Sequence, residues 1–352
     1  MPIQDSDAPQ VRHRPTMRDV AALAGVSLKT VSRVVNGVSS VDPGLTARVQ
    51  DAAGKLGYRP NLTASSLRRS DRRTSTIGML VGDVANPFSA ALMRTVEDVA
   101  RERKTVVLIG SLDDDPAREP ELASALIDRR VDGLVIMPSS HDHSYLSTER
   151  SAGTCLVFVD RPPTHLDADA VVVDNHNGAV TGVQQLLDHG HRRIAYLGDR
   201  ASVATASARF DGYTCALELA RVPVEEHLLR QDVTDVDTAI AVTTALLTGP
   251  NPPTALFTSQ NLVTIGASRA LRTLGLESSV AMVGFDDFPL ADMLRPGITV
   301  VAQDVEAIGR LAATVLFRRL DGDTAPSHTY VVPTRLIQRG SGEIAGPAPG
   351  QS

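Results

Sequence analysis

No stretch of this chain approaches the roughly 18 consecutive apolar residues that a membrane-spanning helix needs, although 42% of its 352 residues are hydrophobic. The expectation is a globular protein with no membrane association. Cysteine is nearly absent. Only Cys155 and Cys215 occur, each inside an apolar stretch, which predicts two buried thiols in a reducing compartment rather than a disulfide framework. The opening MPIQDSDAPQ is polar and acidic and leads into no apolar run, which argues against a secretory signal and for the cytoplasm. A glycine-rich phosphate loop, a nucleophile elbow and zinc-type spacing are also missing. No residue is therefore nominated as catalytic, and no metal or cofactor is expected. His141-Asp-His143 lacks a third ligand in view, and His189-Gly-His191 suits a helix end, where an imidazolium complements the dipole.

What the chain does have is an uneven distribution of charge. Its formal net charge is −6. Within residues 1–75, however, Lys and Arg outnumber Asp and Glu by 12 to 6, whereas from 76 onward the acids lead by 35 to 23. A small basic head on a larger acidic body predicts one segment that meets a polyanion and a second with a different task.

The head reads as three short helices behind a polar arm, 1–15. Thr16 and Asp19 stand in capping-box positions, and Val20, Leu23 and Ala24 are expected on one face before Gly25 ends the helix. Ser27 caps a second helix whose Val31, Val34 and Val35 share a face, and a third fits Pro43 to Leu56. Two short helices joined by a glycine turn form a helix-turn-helix pattern. The polar face of the second helix would enter a major groove. Lys29 and Arg33 can donate there to guanine, while Ser27, Thr30 and Ser32 reach phosphates or base edges. Leu28 lies on the same face. Beyond Tyr58-Arg-Pro, Asn61 can start a further helix, which has little apolar face and would be marginal alone. Its Leu67, between small polar residues and the Arg68–Arg69 pair, could wedge between base steps in a minor groove.

The runs TMRDVAALAGVSLKTVSRVVNG and ARVQDAAGKLGYRPNLTASSL resemble the DNA-binding head and hinge of the LacI/GalR family of bacterial transcription regulators. That resemblance implies that Leu28, Lys29 and Arg33 read operator bases, and that Ala64 and Leu67 lie in the minor groove, with Leu67 inserted at a central CpG step. The implied layout is a helix-turn-helix domain at 16–60, a hinge at 61–75, a ligand-binding and dimerisation domain at 76–340, and an unstructured tail from 341. The tail lacks heptads, so no tetramerising segment is expected.

From Thr76 onward short apolar runs alternate with helical spacing. Strands are expected at 77–81, 106–109, 134–137, 156–159, 171–173, 194–197, 255–257 and 280–283, with helices such as 90–103, 121–129, 178–189 and 262–274 between them. The fold class is therefore α/β: parallel sheets covered on both faces, in two doubly wound lobes with a cleft at the carboxyl ends of their strands. Polar residues fall at those ends. Asp160, Gln260 with Asn261, Asp286 with Asp287, and Gln303 each follow an apolar run. Asn86 and Phe88 are read as a loop after the first strand, and Arg209 as the opening of a helix. Carboxylates, an arginine fork and amides around an aromatic ring make a set suited to polyols, whose hydroxyls donate to Asp and accept from Arg.

The body also resembles that family's effector domain, which is similar to periplasmic sugar-binding proteins. The matching stretches are Asn86-Pro-Phe, Asp160-Arg-Pro, VVVDN, GHRRIAYLGD and VGFDD. By this resemblance Asp160, Arg209 and Asp286 contact an effector, with Phe88, Gln260 and Gln303 beside them. Gln260-Asn261 departs from the family's usual Asn-Asp. The expected function is a transcription regulator, a repressor, that binds a pseudo-palindromic double-stranded operator as a homodimer under control of a small effector such as a sugar. The alternatives are a solute-binding protein, a nucleoside- or purine-responsive regulator, and an enzyme using the Asp286–Asp287 pair.

Overall fold

The computed structural model describes residues 15–35, 40–59 and 73–348, and the chain divides into two compact units at Thr74 and Ser75. In the first unit, α1 (Met17–Ala24), α2 (Leu28–Val35) and α3 (Pro43–Leu56) surround a core of Val20, Ala21, Ala24, Val31, Val49 and Ala52. Thr16 and Asp19 cap each other at the start of α1, and Gly25, at φ 62°, ends it. That φ suits glycine because a Cβ would crowd the following carbonyl. Arg48 of α3 donates to the Ala24 carbonyl at 2.6 Å, placing a cation at the negative end of α1. One expected core position changes. Ala21 faces inward and Leu23 is 53% exposed, because α3 covers the stripe through residues 17, 20, 21 and 24.

The second unit consists of two lobes of the same design. The N-lobe sheet contains β1 (Thr76–Val81), β2 (Val106–Ser111), β3 (Gly133–Ile136), β4 (Cys155–Val159), β5 (Asp169–Val173) and β11 (Thr329–Val332), in the order β11-β5-β4-β3-β1-β2. Its helices are α4 (Pro87–Glu102), α5 (Arg118–Asp128), the short α6 (Ser147–Ser151) and α11 (Val305–Leu320). The C-lobe sheet contains β6 (Ile194–Leu197), β7 (Leu229–Arg230), β8 (Ala255–Thr258), β9 (Ala281–Phe285), β10 (Thr299–Gln303) and β12 (Thr334–Ile337), in the order β12-β10-β9-β8-β6-β7. Its helices are α7 (Asn175–Asp188), α8 (Ala204–Leu219), α9 (Val236–Thr248) and α10 (Asn261–Leu274).

Every described strand pairing is parallel except β10 with β12. Such sheets are covered on both faces because the crossover helices must pack there. In the N-lobe, Leu92 and Val96 of α4 and Ile308, Ala312 and Leu316 of α11 cover one face, while Ala123 and Leu126 of α5 cover the other. In the C-lobe, Val183 and Tyr213 lie on one side, and Leu246, Val263 and Leu271 on the other. The chain passes between lobes three times: from β5 into α7, from β10 into α11, and from β11 into β12. All eight expected strands are present, β6 with the expected ends and the other seven with shifted ones; β10 was anticipated only as the apolar run before Gln303, while β7, β11 and β12 were not anticipated. These three lie at sheet edges and are only partly buried, so they lack the continuous apolar run that marks an inner strand.

Three further expectations are corrected. The free thiols of Cys155 and Cys215 are both partly exposed rather than buried. His191 does not act as a helix-end cation. It is fully buried between Thr254 Oγ1 at 3.0 Å and the Ile344 carbonyl at 2.9 Å, and burial pushes its pKa down. Residues 341–348 pack against the C-lobe instead of starting a loose tail. Ser341 Oγ donates to the Met282 carbonyl at 2.6 Å, and Glu343 accepts from Gln185 and Thr299. Among the described residues no helix is long and apolar enough to cross a membrane, and no group of His, Cys, Asp and Glu is arranged to hold a metal ion.

Candidate effector cleft and DNA-facing helix

On α2 the buried Val31 faces the core, so Lys29 and Arg33, two residues to either side of it, point the opposite way, with Leu28 and Ser32 on the flanks. Leu28, Lys29 and Arg33 are exposed, and Ser32 is half-buried. Ser27 is committed to the fold, because its hydroxyl accepts from Thr30 N at 3.1 Å and lies 2.9 Å from Thr30 Oγ1. Arg33 donates to Ser40 Oγ at 2.8 Å. The nominated residues Asn61, Ala64 and Leu67 lie outside the described residues.

In the second unit the carboxyl ends of the two sheets face one another across a cleft. Each lobe has its strand-order reversal there, β1 beside β3 and β6 beside β8, which is where open α/β sheets bind ligands. The cavity encloses about 640 Å³ with its open mouth and is lined by all six nominated residues, Phe88, Asp160, Arg209, Gln260, Asp286 and Gln303. Two of them stand differently from expectation. Phe88 is in the first turn of α4, since Asn86 caps that helix through Phe88 N. Arg209 lies in the second turn of α8, which starts at Ala204.

Arg209 organises the C-lobe wall. It is 5% exposed and donates through Nε to Asn175 Oδ1 at 2.7 Å and through Nη1 to the Ser259 carbonyl at 2.6 Å. Asp286 Oδ2 is 3.4 Å from Nη1, and the guanidinium carbon stands 3.8 Å from the Phe285 ring centroid. A buried charge held by oxygens and an aromatic face is directed rather than solvated. Asp286 Oδ1 accepts from Gln303 Nε2 at 2.6 Å. Burial pushes the Asp286 pKa up, against the pull of Arg209 and Gln303. On the N-lobe wall Asp160 lies 3.2 Å from Arg161 Nε, and Arg161 also donates to the Pro138 carbonyl at 2.8 Å.

Both aspartates adopt left-handed backbone, φ 68° at Asp160 and 71° at Asp286, a costly conformation for residues other than glycine that clusters at functional sites. Two buried polar atoms of the lining, Ser259 Oγ and Gln303 Oε1, have no hydrogen-bond partner. Such atoms cost free energy unless a ligand or water meets them.

Asn261, where the family resemblance leads one to expect aspartate, has a physical reason to be an amide. It donates to Asn86 Oδ1 at 2.9 Å and accepts from Asn86 Nδ2 at 3.4 Å, a reciprocal pair that joins the two lobes. Asn86 Oδ1 already accepts from Phe88 N, so a carboxylate at 261 would face an acceptor. Asp287 does not belong to the lining. It forms a two-point pair with Arg339 at 2.7 Å for each contact. The sequence reading passed over Asn175, Ser259, Arg161 and Asp199. Asn175 and Asp199 sit in the quoted runs VVVDN and GHRRIAYLGD, while Ser259 next to Gln260 carried no signal of its own.

Residues 16–61 match the model of the lacI family of bacterial regulatory proteins, and residues 183–342 match that of a periplasmic binding protein-like domain. The ribose operon repressor of Escherichia coli K12 is 31% identical over 329 residues, covering 93% of this chain and 99% of that protein. The transcriptional regulator PtxS of Pseudomonas aeruginosa PAO1 is 34% identical over 342 residues, covering 94% and 96%. Among solved structures, a complex of the transcriptional regulator CelR with cellobiose superposes with a TM-score of 0.67 at 31% identity, over 93% of this chain and 100% of that one. The chain belongs to the LacI family of bacterial regulatory proteins, with a DNA-binding head followed by a two-lobed, periplasmic-binding-protein-like body.

Proposed function

We propose that this protein is a repressor that binds a pseudo-palindromic operator as a homodimer and is controlled by a sugar or sugar derivative held between the lobes. The observation that carries the ligand half is the buried Arg209, held by Asn175, Ser259 and Asp286 at the rim of an open cleft. A fixed guanidinium beside carboxylates can donate to a ring's hydroxyl oxygens while the carboxylates accept their protons. The names and cellobiose complex of its relatives support a sugar-sized effector. Leu28, Lys29, Ser32 and Arg33 are the base-reading face, and Ser27 and Thr30 start the recognition helix. A dimer follows from the small footprint of one head, since two heads on a two-fold axis read two half-sites. The segment containing Asn61, Ala64 and Leu67 is the natural switch, because it is too weakly apolar to be helical alone and would gain stability only against its twin and the minor groove.

The test is to capture host genomic fragments on the purified protein at about 0.15 M salt, where purely electrostatic binding is suppressed, and to sequence them. A few sharply enriched pseudo-palindromes are expected, and Leu67→Ala should lower affinity for them while effector binding persists. Diffuse recovery, unchanged by added sugars, would refute the reading.

A further inference from the structure

The cleft continues beyond Arg209. A second chamber, about 730 Å³ including its open mouth, adjoins the first, and Asp114, Arg161, Asp199 and Thr234 line both. Both lobes build it: the loops after β3 and β4 supply Ser139 and Pro162, and the segment before α8 and that helix's first residue supply Ser202 and Ala204. Arg161, tied to Asp160 on one side and to the Pro138 carbonyl on the other, stands between the two spaces.

The N-lobe wall of this chamber is fixed from behind by polar groups that the first chamber does not use. Glu119 is fully buried and accepts from the backbone N–H groups of Ser139 and Ser140 at 2.6 and 2.8 Å and from the Tyr145 hydroxyl at 2.8 Å. His143 Nδ1 accepts from Thr164 N at 2.9 Å. Burying a carboxylate is costly unless it is well hydrogen-bonded, and here its bonds hold one loop in one shape. On that loop Ser139, 8% exposed, has a hydroxyl with no partner. The rings of Pro116, Pro138 and Pro162 give the same chamber flat apolar surface, suited to the C–H face of a sugar ring. Around the two chambers five aspartates (83, 114, 160, 199 and 286) outnumber three arginines (161, 200 and 209). An added phosphate or carboxylate would therefore meet net repulsion.

We propose that the effector is an uncharged molecule of two linked ring units, a disaccharide, with one unit at Arg209, Asp160 and Asp286 and the second beyond Arg161 against Ser139. This rests on the reading of the cleft as the effector site. The test is calorimetric titration of the full-length protein with glucose, galactose, mannose and xylose, and with cellobiose, maltose, lactose, mannobiose and xylobiose. At least one disaccharide should bind more than about tenfold tighter than its component monosaccharide. Ala204→Trp should fill the second chamber and bring that disaccharide down to the affinity of its monosaccharide. Ser139→Ala, which adds no bulk, should weaken it about three- to tenfold, the worth of one hydrogen bond. Tightest binding by a monosaccharide, indifferent to Ala204→Trp, would overturn this inference and leave the cleft as the effector site. Binding by none of these sugars would overturn both.

Discussion

The two lobes follow the same path and end in different chemistry. In each, the fourth strand runs into an aspartate with left-handed backbone, Asp160 after β4 and Asp286 after β9. Its N–H then donates to the next strand, Asp160 to Val171 and Asp286 to Val301. In each, the chain leaves that strand through an aspartate N-cap with nearly the same dihedrals, Asp174 at −78°, 81° and Asp304 at −84°, 82°. Backbone geometry thus places a carboxylate at the same point of both lobes. Asp160 meets Arg161, its half-buried neighbour in sequence, whereas Asp286 meets Arg209, a buried cation from a different helix that is also held by Asn175 and Ser259. The shared frame aims the groups, and the partner decides which wall is rigid. The C-lobe carboxylate is pre-organised by a cation from a distant helix, and the N-lobe one by its neighbour in sequence.

This asymmetry predicts unequal responses, the largest at Arg209. Arg209→Ala leaves Asp286 buried without its cation, and should cost about 3 kcal/mol in urea unfolding and abolish measurable effector binding by calorimetry. Asp160→Ala should cost no more than about 1 kcal/mol, because the half-buried Arg161 can turn to solvent. Equal losses would break the comparison.

Helix packing gives a second contrast. A Cβ on Gly212 would strike the His176 carbonyl and Ala179 where α8 meets α7, while one on Gly309 in the N-lobe would meet only the side chains of Thr95 and Leu92. Gly212→Ala should therefore lower stability by about 3 kcal/mol and Gly309→Ala by about 2 kcal/mol, since the overlap with the His176 carbonyl is deeper than that with Thr95 and overpacking costs more as overlap grows. Thermal melts of the two variants would read the difference.

Each lobe also buries one histidine, His143 and His191, with its pKa pushed below the usual value by burial. The unfolded chain then binds more protons, so stability should be full above the unfolded value of about 6.5 and fall as pH drops through it. Melting curves from pH 7.5 to 5.5 should show this decline. His191→Gln, whose amide nitrogen can replace Nε2 as donor to Ile344, should flatten it. A slope unchanged by that substitution would place the titration elsewhere. The smallest effect is expected at the bridge between the lobes. Asn86→Ser keeps a capping residue on α4 but removes the pair with Asn261 and should speed effector exchange only about threefold in stopped-flow fluorescence, the worth of one modest hydrogen bond.

Several features of the body were legible because they are local. Runs such as GMLV and LVFV read as inner strands of a parallel sheet, and the polar residues after them fall at the cleft. Asp235 could have flagged α9, since it caps Thr238 N at 2.8 Å, yet the β-branched run that follows carries no clear helical face. Phe88 and Arg209 line the cleft, but from a different local frame than the one expected. The caps at Asn86 and the start of α8 at Ala204 shift each by a turn or more.

The sequence by itself determined the two-part organisation, the helix-turn-helix, the doubly wound lobes and the polar residues at the strand ends, because hydrophobic period, capping and charge act over a few residues, while the choice of Asp160, Arg209 and Asp286 among them came from the family resemblance. Only the tertiary structure decided that Asn86 pairs with Asn261, that Arg209 is held by Asn175 and Ser259, that Glu119 braces a second chamber, and that residues 341–348 pack on the C-lobe. These contacts join segments tens to more than a hundred residues apart. Their partners are selected by which buried polar groups meet once the sheets have formed, a choice that no local pattern encodes.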